Sequence, residues 1–229
     1  MSAGFGGWGL MLPWLLTAHI AVLGYWLGSE LVINSGFRYV CRAESMAFAE
    51  RDRLMDHVMH VDQHVRYALV LQAALGTALA GLLGYLPGGA GLALAAGVVG
   101  LLWLGFVEAV HQLRHRPMGA ALGRVDRASR YGLMALLLAV ALGLIGGGWD
   151  LPLWLRWKLA LFAGVMMAGV GIRLALISHF RTWALMRRDG PSEASNRDVQ
   201  RGYWRATRVL IGLWLLIGGI VVLSVLKPA

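Results

Sequence analysis

The chain has 229 residues, of which 58% are hydrophobic and only 14% are charged. Soluble domains carry about 25% charged residues, and the apolar residues here form long blocks instead of one-sided stripes. Blocks of ~20 apolar residues can cross a bilayer as helices, whose backbone satisfies its own hydrogen bonds there. The composition therefore excludes an ordinary soluble domain and a barrel with alternating faces. It predicts an all-α, polytopic membrane protein.

Six apolar blocks predict a six-helix transmembrane bundle that forms a single domain over residues 1–229. In chain order, the blocks are approximately Trp8–Asn34, Tyr67–Leu86, Gly91–Val110, Tyr131–Gly147, Leu153–Ile177 and Val209–Leu226. The first block has no basic residues before it and is long, so we do not expect it to be a cleavable signal peptide. The single cysteine, Cys41, excludes an internal disulfide and a cysteine-rich metal cluster.

The net charge of +9 is concentrated in three arginine-rich segments, residues 38–66, 111–130 and 181–208. The connection LPGGAG between the second and third blocks has no charge. Because basic connections stay on the cytoplasmic side, we expect both termini outside, in a bacterial-type inner (plasma) membrane. The expected partners are membrane lipid and other membrane subunits or further copies of the chain, and no nucleic acid.

A short signature recurs at the start of three apolar blocks. It reads VDQHVRYAL from Val61, VDRASRYGL from Val125 and DVQRGYW from Asp198, and in each an aspartate precedes a tyrosine by five positions. One interpretation is three similar anchors, since Asp favours a helix N-terminus and Arg and Tyr favour the headgroup level. The other interpretation is three duplicated helix hairpins.

The stretch DHVMHVDQHVRY stacks three histidines before the second apolar block. His57, His60 and His64 are spaced i, i+3 and i+7, so they share one face if the helix extends beyond the apolar segment. In EAVHQLRH, at the end of the third block, Glu108, His111 and His115 have the same spacing. The alternative for each histidine is a solvated residue at the membrane boundary.

The two columns are predicted to lie at one depth. His64 precedes Leu86 by about as many residues as His111 follows Gly91, and at ~1.5 Å per residue the depths differ by only about 3 Å. His60 and His115 match similarly. Two facing histidines could ligate a haem, and three or four donors with Glu108 could hold copper, zinc or iron.

Four further polar residues stand near or inside apolar blocks. His19 lies well inside the first block, where an imidazole needs a partner. Glu30 follows it by three helical turns and so falls on the same face. Arg173 in the fifth block could snorkel to the surface, or it could pair with a haem propionate or with Glu108. His179, beside Phe180 and Arg181, is expected at the interface.

A resemblance to known families rests on several short motifs. His19, followed by Trp26 and Gly28, resembles the first span of CopD-type copper-resistance membrane proteins and HemJ-type protoporphyrinogen oxidases. The segments LPLWLRWKLALFAGVMM and RATRVLIGLWLLIGGIVVL extend the similarity over about half the chain. The resemblance implies a helical bundle with a metal or b-type haem site, to which His19 would belong.

The leading hypothesis is a membrane protein that binds haem b or a transition metal, copper or iron, and performs electron transfer or oxidises a hydrophobic substrate. Its expected ligands are His64 and His111, with His19 a ligand or a proton-relay group. The remaining expected site residues are His60 and His115 as metal donors, Glu108 and Glu30 as proton-handling catalytic groups, and Arg173 as a cofactor contact. The alternatives are copper transport across the inner membrane and a non-catalytic subunit or assembly factor of a larger complex.

Overall fold

The structure is a computed structural model that describes residues 11–114 and 116–228. Six α-helices and no strand occur within these ranges. They are α1 (Met11–Arg42), α2 (Phe48–Leu82), α3 (Gly89–Gln112), α4 (Gly119–Ala141), α5 (Leu153–Asp189) and α6 (Glu193–Leu226). The predicted all-α, six-helix membrane bundle is confirmed.

Five helices in the described ranges, all except α4, are long and apolar enough to cross a membrane. The first half of α4 carries Arg124, Asp126, Arg127 and Arg130. The apolar part that remains, Tyr131–Ala141, is only about 16 Å long, about half of the ~30 Å hydrocarbon core. The chain is thus an integral membrane protein by the length and composition of its helices.

The helices extend well beyond the predicted apolar blocks at their basic ends. The second helix begins at Phe48 instead of Tyr67, and the sixth begins at Glu193 instead of Val209. Ser192 supports this early start, because its side chain accepts a hydrogen bond from the Ser195 backbone N–H in a capping box. Because α2 begins at Phe48, the stretch DHVMHVDQH is helical, as the predicted column of His57, His60 and His64 requires.

At the opposite ends, α2 and α4 stop before the predicted boundaries at Leu86 and Gly147. The helix α4 ends at Ala141, and both Gly143 (φ 74°) and Gly146 (φ 78°) lie in the left-handed region soon after it. Glycine adopts this conformation without steric cost, and the backbone leaves the helix there. Between α2 and α3, Gly84 (φ 80°) has the same role.

Contacts divide the chain into two compact units, each of which contains segments far apart in sequence. Among the described residues, the first unit comprises residues 11–31, 61–114, 116–128 and 148–151, and the second comprises residues 32–60, 129–147 and 152–228. The single-domain organisation and the three-hairpin repeat stay predictions.

In the first unit, small residues bring the helices close together. A Cβ atom at Gly100 of α3 would lie 2.6 Å from the Cβ of Ala74 on α2. At the α2–α3 turn, a Cβ at Gly81 would lie 3.0 Å from the carbonyl oxygen of Gly89. Small side chains are typical of helix contacts in membranes, where they allow the two backbones to approach.

In the second unit, α5 and α6 pack against each other, and an apolar cluster fills the unit's basic end. The cluster consists of Phe37, Val40, Cys41, Met55, Val58, Trp183, Met186, Val199 and Tyr203. Arg51 is buried beside it (1% exposed), where its Nε donates to the Val40 carbonyl at 3.1 Å and its Nη1 to Asn196 Oδ1 at 3.0 Å. Its guanidinium lies over the Trp183 ring, 5.4 Å from the centroid.

His179 is a buried core residue of this unit, 1% exposed, although its position beside Phe180 and Arg181 indicated an interfacial side chain. Its Nδ1 donates to the Val199 carbonyl at 3.1 Å, and its ring stacks on Trp183 at 5.8 Å. The close approach of α6 depends on Gly202, because a Cβ there would lie 2.8 Å from the His179 Cβ.

We expect Gly202→Ala to lower the free energy of unfolding by about 1–3 kcal/mol, because the His179 Cβ is fixed to its backbone and cannot move aside. Gly212→Ala on the same helix is the matched control, since nothing lies within 4 Å of a Cβ placed there. Alanine favours a helix by up to ~1 kcal/mol over glycine, so the control should be neutral or stabilised. Thermal unfolding in detergent, followed by circular dichroism, measures both, and equal midpoints for the two variants would contradict this packing.

Candidate functional site

A tyrosine–histidine pair joins α1 to α2 in the first unit. Tyr25 Oη and His64 Nδ1 lie 2.5 Å apart, and their rings meet edge-on with centroids 5.9 Å apart. Both side chains are exposed in the structure. The hydrogen bond occupies one ring nitrogen of His64, so that Nε2 is the nitrogen that remains for another interaction.

A second pair joins α2 to α3 one helical turn away. The Tyr67 hydroxyl donates to Glu108 Oε2, and Gln112 Nε2 donates to Glu108 Oε1 at 2.6 Å. The Tyr67 ring also meets the His64 ring edge-on, with centroids 6.0 Å apart. The two pairs therefore form one network that joins α1, α2 and α3.

His19 lies further into the apolar part of α1 and faces α2. The buried Gln72 donates its Nε2–H to the His19 backbone carbonyl at 3.0 Å. A Cβ at Gly76 would lie 3.5 Å from His19 Cε1, so α2 has a small residue where the imidazole packs. The predicted inward position of His19 agrees with this contact to α2.

Glu30 lies on the other side of the network, towards the basic end of α1. Its side chain is buried, 7% exposed, and Trp26 Nε1 donates to its Oε1 at 3.3 Å. Asp62 on α2 lies within electrostatic range of this carboxylate, and Arg66 is 3.6 Å from Asp62. Both His19 and Glu30 turn inwards, as their shared helix face predicts.

We call the polar residues that join α2 to α1 and α3 the polar column; on α2 they are Asp62, His64, Tyr67 and Gln72. On α2 it extends over about 15 Å, at ~1.5 Å per residue. Carboxylate, imidazole and phenol groups can each bind and release a proton. Rows of such groups within membrane helices are typical of proton relays.

His111 lies one turn beyond Glu108 on α3 and within electrostatic range of it. Its side chain is half-buried, and its Nδ1 is 3.5 Å from Nη1 of Arg114. The α2 side chains that reach α3 at this level are Tyr67 and Gln63, whose Nε2 donates to the Val107 carbonyl at 3.2 Å. Ligation by facing histidines of α2 and α3 stays a prediction.

The remaining predicted site residues are His60, His115 and Arg173. His115 lies outside the described residues. His60 belongs to the second unit, where its exposed ring donates from Nδ1 to the Asp56 carbonyl at 2.7 Å. Arg173 is an exposed residue of α5 in the second unit. Within residues 11–114 and 116–228, no group of three or more His, Cys, Asp or Glu side chains could hold a metal ion.

Sequence reasoning missed two members of the column and interpreted a third differently. Tyr25 received no role, and Tyr67 was interpreted as an interfacial anchor. Gln72 carried a usable signal, because it is a polar side chain within an apolar run and so requires a partner. The contacts of the two tyrosines depend on which helices are neighbours, and no local pattern specified that.

Comparison with known proteins finds no matching family model, no similar curated protein and no similar solved structure. The resemblance to CopD-type and HemJ-type membrane proteins therefore stays a prediction from the motifs around His19, Trp26 and Gly28.

Proposed function

We propose that the protein is an integral membrane redox protein in which the polar column of the first unit binds a cofactor and handles protons. The observation that carries the proposal is the 2.5 Å contact between Tyr25 Oη and His64 Nδ1. A histidine that ligates a metal usually has its other ring nitrogen fixed by an oxygen partner. In the tautomer in which Nδ1–H donates to Tyr25 Oη, Nε2 keeps its lone pair and can ligate a metal.

The donor set favours a b-type haem over a copper or iron ion. Two imidazoles suffice as axial ligands of a haem, whereas the described residues do not bring together the three donors that a metal ion needs. His64 and His111 would hold the group, and His19 is the further imidazole of the same unit. The bound haem would supply one-electron transfer.

Protons would be handled by the residues around this position. Glu108 accepts hydrogen bonds from Tyr67 and Gln112, which stabilise its ionised form. It would therefore take up a proton only when the negative charge of a reduced cofactor lies beside it. Glu30, buried beside Trp26, is the next carboxyl group along the column. The arginine-rich helix ends would face the cytoplasm of a bacterial-type inner membrane, so this uptake would draw on cytoplasmic water.

We expect protein purified in mild detergent to show the absorption bands of a b-type haem, or bound copper or iron, at one equivalent per chain. His64→Ala should lose most of this cofactor, because it removes a ligand. His57→Ala is the matched control, since that exposed histidine lies in the second unit, and it should retain the full amount. Absorption spectra and elemental analysis measure both.

A colourless, metal-free preparation that is folded by circular dichroism would contradict the cofactor assignment. Equal cofactor loss in the His57 and His64 variants would contradict the choice of His64.

We further expect the midpoint potential of the bound group to fall as the pH rises, approaching about 59 mV per pH unit for one proton per electron. Glu108→Gln should flatten this slope, because an amide cannot take up the proton. Glu193→Gln is the control, since its side chain is 91% exposed at the start of α6, and its slope should match that of the native protein. Redox titration between pH 6 and pH 8 gives the slopes. A pH-independent potential in the native protein would refute the role of the column in proton uptake, even if the cofactor is present.

A further inference from the structure

The exposed face of α6 in the second unit carries a stripe of cationic and aromatic side chains. Its exposed members are Arg197, Arg201, Trp204, Arg205 and Arg208. The opposite face of the same stretch is buried, with Val199 at 0% exposure and Tyr203 at 3%. The stripe is therefore directed outwards by the packing of the helix.

The residues that follow the stripe on the same face of α6 indicate its depth relative to the membrane. One turn beyond Arg208 the exposed side chains become apolar, with Ile211 at 48% and Leu215 at 73% exposure. Arg205 and Arg208 thus stand at the boundary between hydrocarbon and headgroups. The headgroup region is only about 5–8 Å thick on each side. Arg197 lies about 16 Å from Arg208 along the helix and so reaches into water.

The basic end of α1 contributes to the same surface. The Arg42 guanidinium lies over the Trp204 ring, 5.7 Å from its centroid. Thr207 Oγ1 donates to Asn34 Oδ1 at 3.2 Å and fixes the register of the two helices. Arg38 is exposed one turn from both Asn34 and Arg42 on α1. We call the group Arg38, Arg42, Trp204, Arg205 and Arg208 the boundary surface.

The arginines of the boundary surface differ from Arg188, Arg197 and Arg201 in their acidic neighbours. Arg201 is 2.5 Å from Asp198, Arg197 is 3.9 Å from Glu193, and Arg188 is 2.8 Å from Asp189. Among the described residues, no ion pair joins an acidic side chain to any arginine of the boundary surface. The surface therefore has four cationic groups that form no ion pair with an acidic side chain of residues 11–114 and 116–228.

We propose that the boundary surface binds the phosphate group of an anionic phospholipid. Guanidinium groups bind phosphate in a forked geometry, and an indole is favoured at the headgroup level. The apolar face directly below, with Ile211 and Leu215, accommodates the acyl chains of the same molecule. A lipid matches both the charged and the apolar part of this surface, whereas a soluble anion matches only the first.

The test compares two triple variants of the full chain that remove the same charge. Arg42→Gln/Arg205→Gln/Arg208→Gln removes boundary arginines, and Arg188→Gln/Arg197→Gln/Arg201→Gln removes arginines that have acidic neighbours. Native mass spectrometry in detergent with equal amounts of phosphatidylglycerol and phosphatidylcholine measures the bound lipid. Each juxtamembrane basic residue contributes about fivefold to binding of anionic lipid. We expect the boundary triple to lose the phosphatidylglycerol preference at least tenfold, and the control triple to lose it less than threefold.

Equal losses in the two triples would overturn the proposal, because the preference would then reflect net charge alone. A native protein that binds both lipids equally would overturn it as well. If the boundary triple fails to fold by circular dichroism, salt dependence of the native protein decides instead. Raising the salt from 0.1 M to 1 M shortens the screening length from about 10 Å to 3 Å and should reduce the preference, and an unchanged preference would overturn the proposal.

Discussion

The first unit depends on one constraint, namely that polar side chains within apolar helices must find partners on neighbouring helices. Tyr25 and His64 satisfy each other across α1 and α2, and Tyr67 and Glu108 do so across α2 and α3. Lipid tails are as apolar as the side chains of a membrane helix, so apolar contact alone does not decide which helices become neighbours. Polar contacts of this kind and close packing of small residues decide it instead. The contact between Gly100 and Ala74 is an example of this close packing of small residues. The groups that fix the helix arrangement are thus the same groups that can exchange protons.

The second unit surrounds its buried charge with an aromatic ring and two acceptors, and among the described residues Arg51 Nη2 has no hydrogen-bond partner. Arg51 lies over Trp183 and donates to a backbone carbonyl and to Asn196. Trp183 Nε1 donates to Asp52 Oδ1 at 2.7 Å, and Arg187 pairs with the same carboxylate at 2.7 Å. A buried guanidinium is costly unless its charge and its donors are satisfied. These contacts hold together the basic ends of α1, α2, α5 and α6, where the apolar blocks alone give no reason for helix contact.

The exposed face of α6 indicates the level at which the helix would enter the hydrocarbon. On α6 the same face changes from Arg205 and Arg208 to Ile211 and Leu215 within one turn. A soluble protein would avoid such an apolar surface, and in a membrane it marks the level of the hydrocarbon. In the proposed lipid site, the arginines of the boundary surface would lie at the headgroup layer, whereas Arg197 would lie in water.

The sequence by itself determined that the protein is helical and lies in a membrane, because blocks of ~20 apolar residues leave no other way to satisfy the backbone. It also placed His19 and Glu30 on one face of α1, because helical periodicity is local. The end of α4 at Ala141 was less evident, since Gly143 and Gly146 stop a helix whose apolar pattern continues. Only the tertiary structure decided that His64 meets Tyr25, that Tyr67 meets Glu108 and that His179 is buried. These contacts join residues tens of positions apart, and which helix faces which is set by the packing of the whole unit, which no single segment encodes.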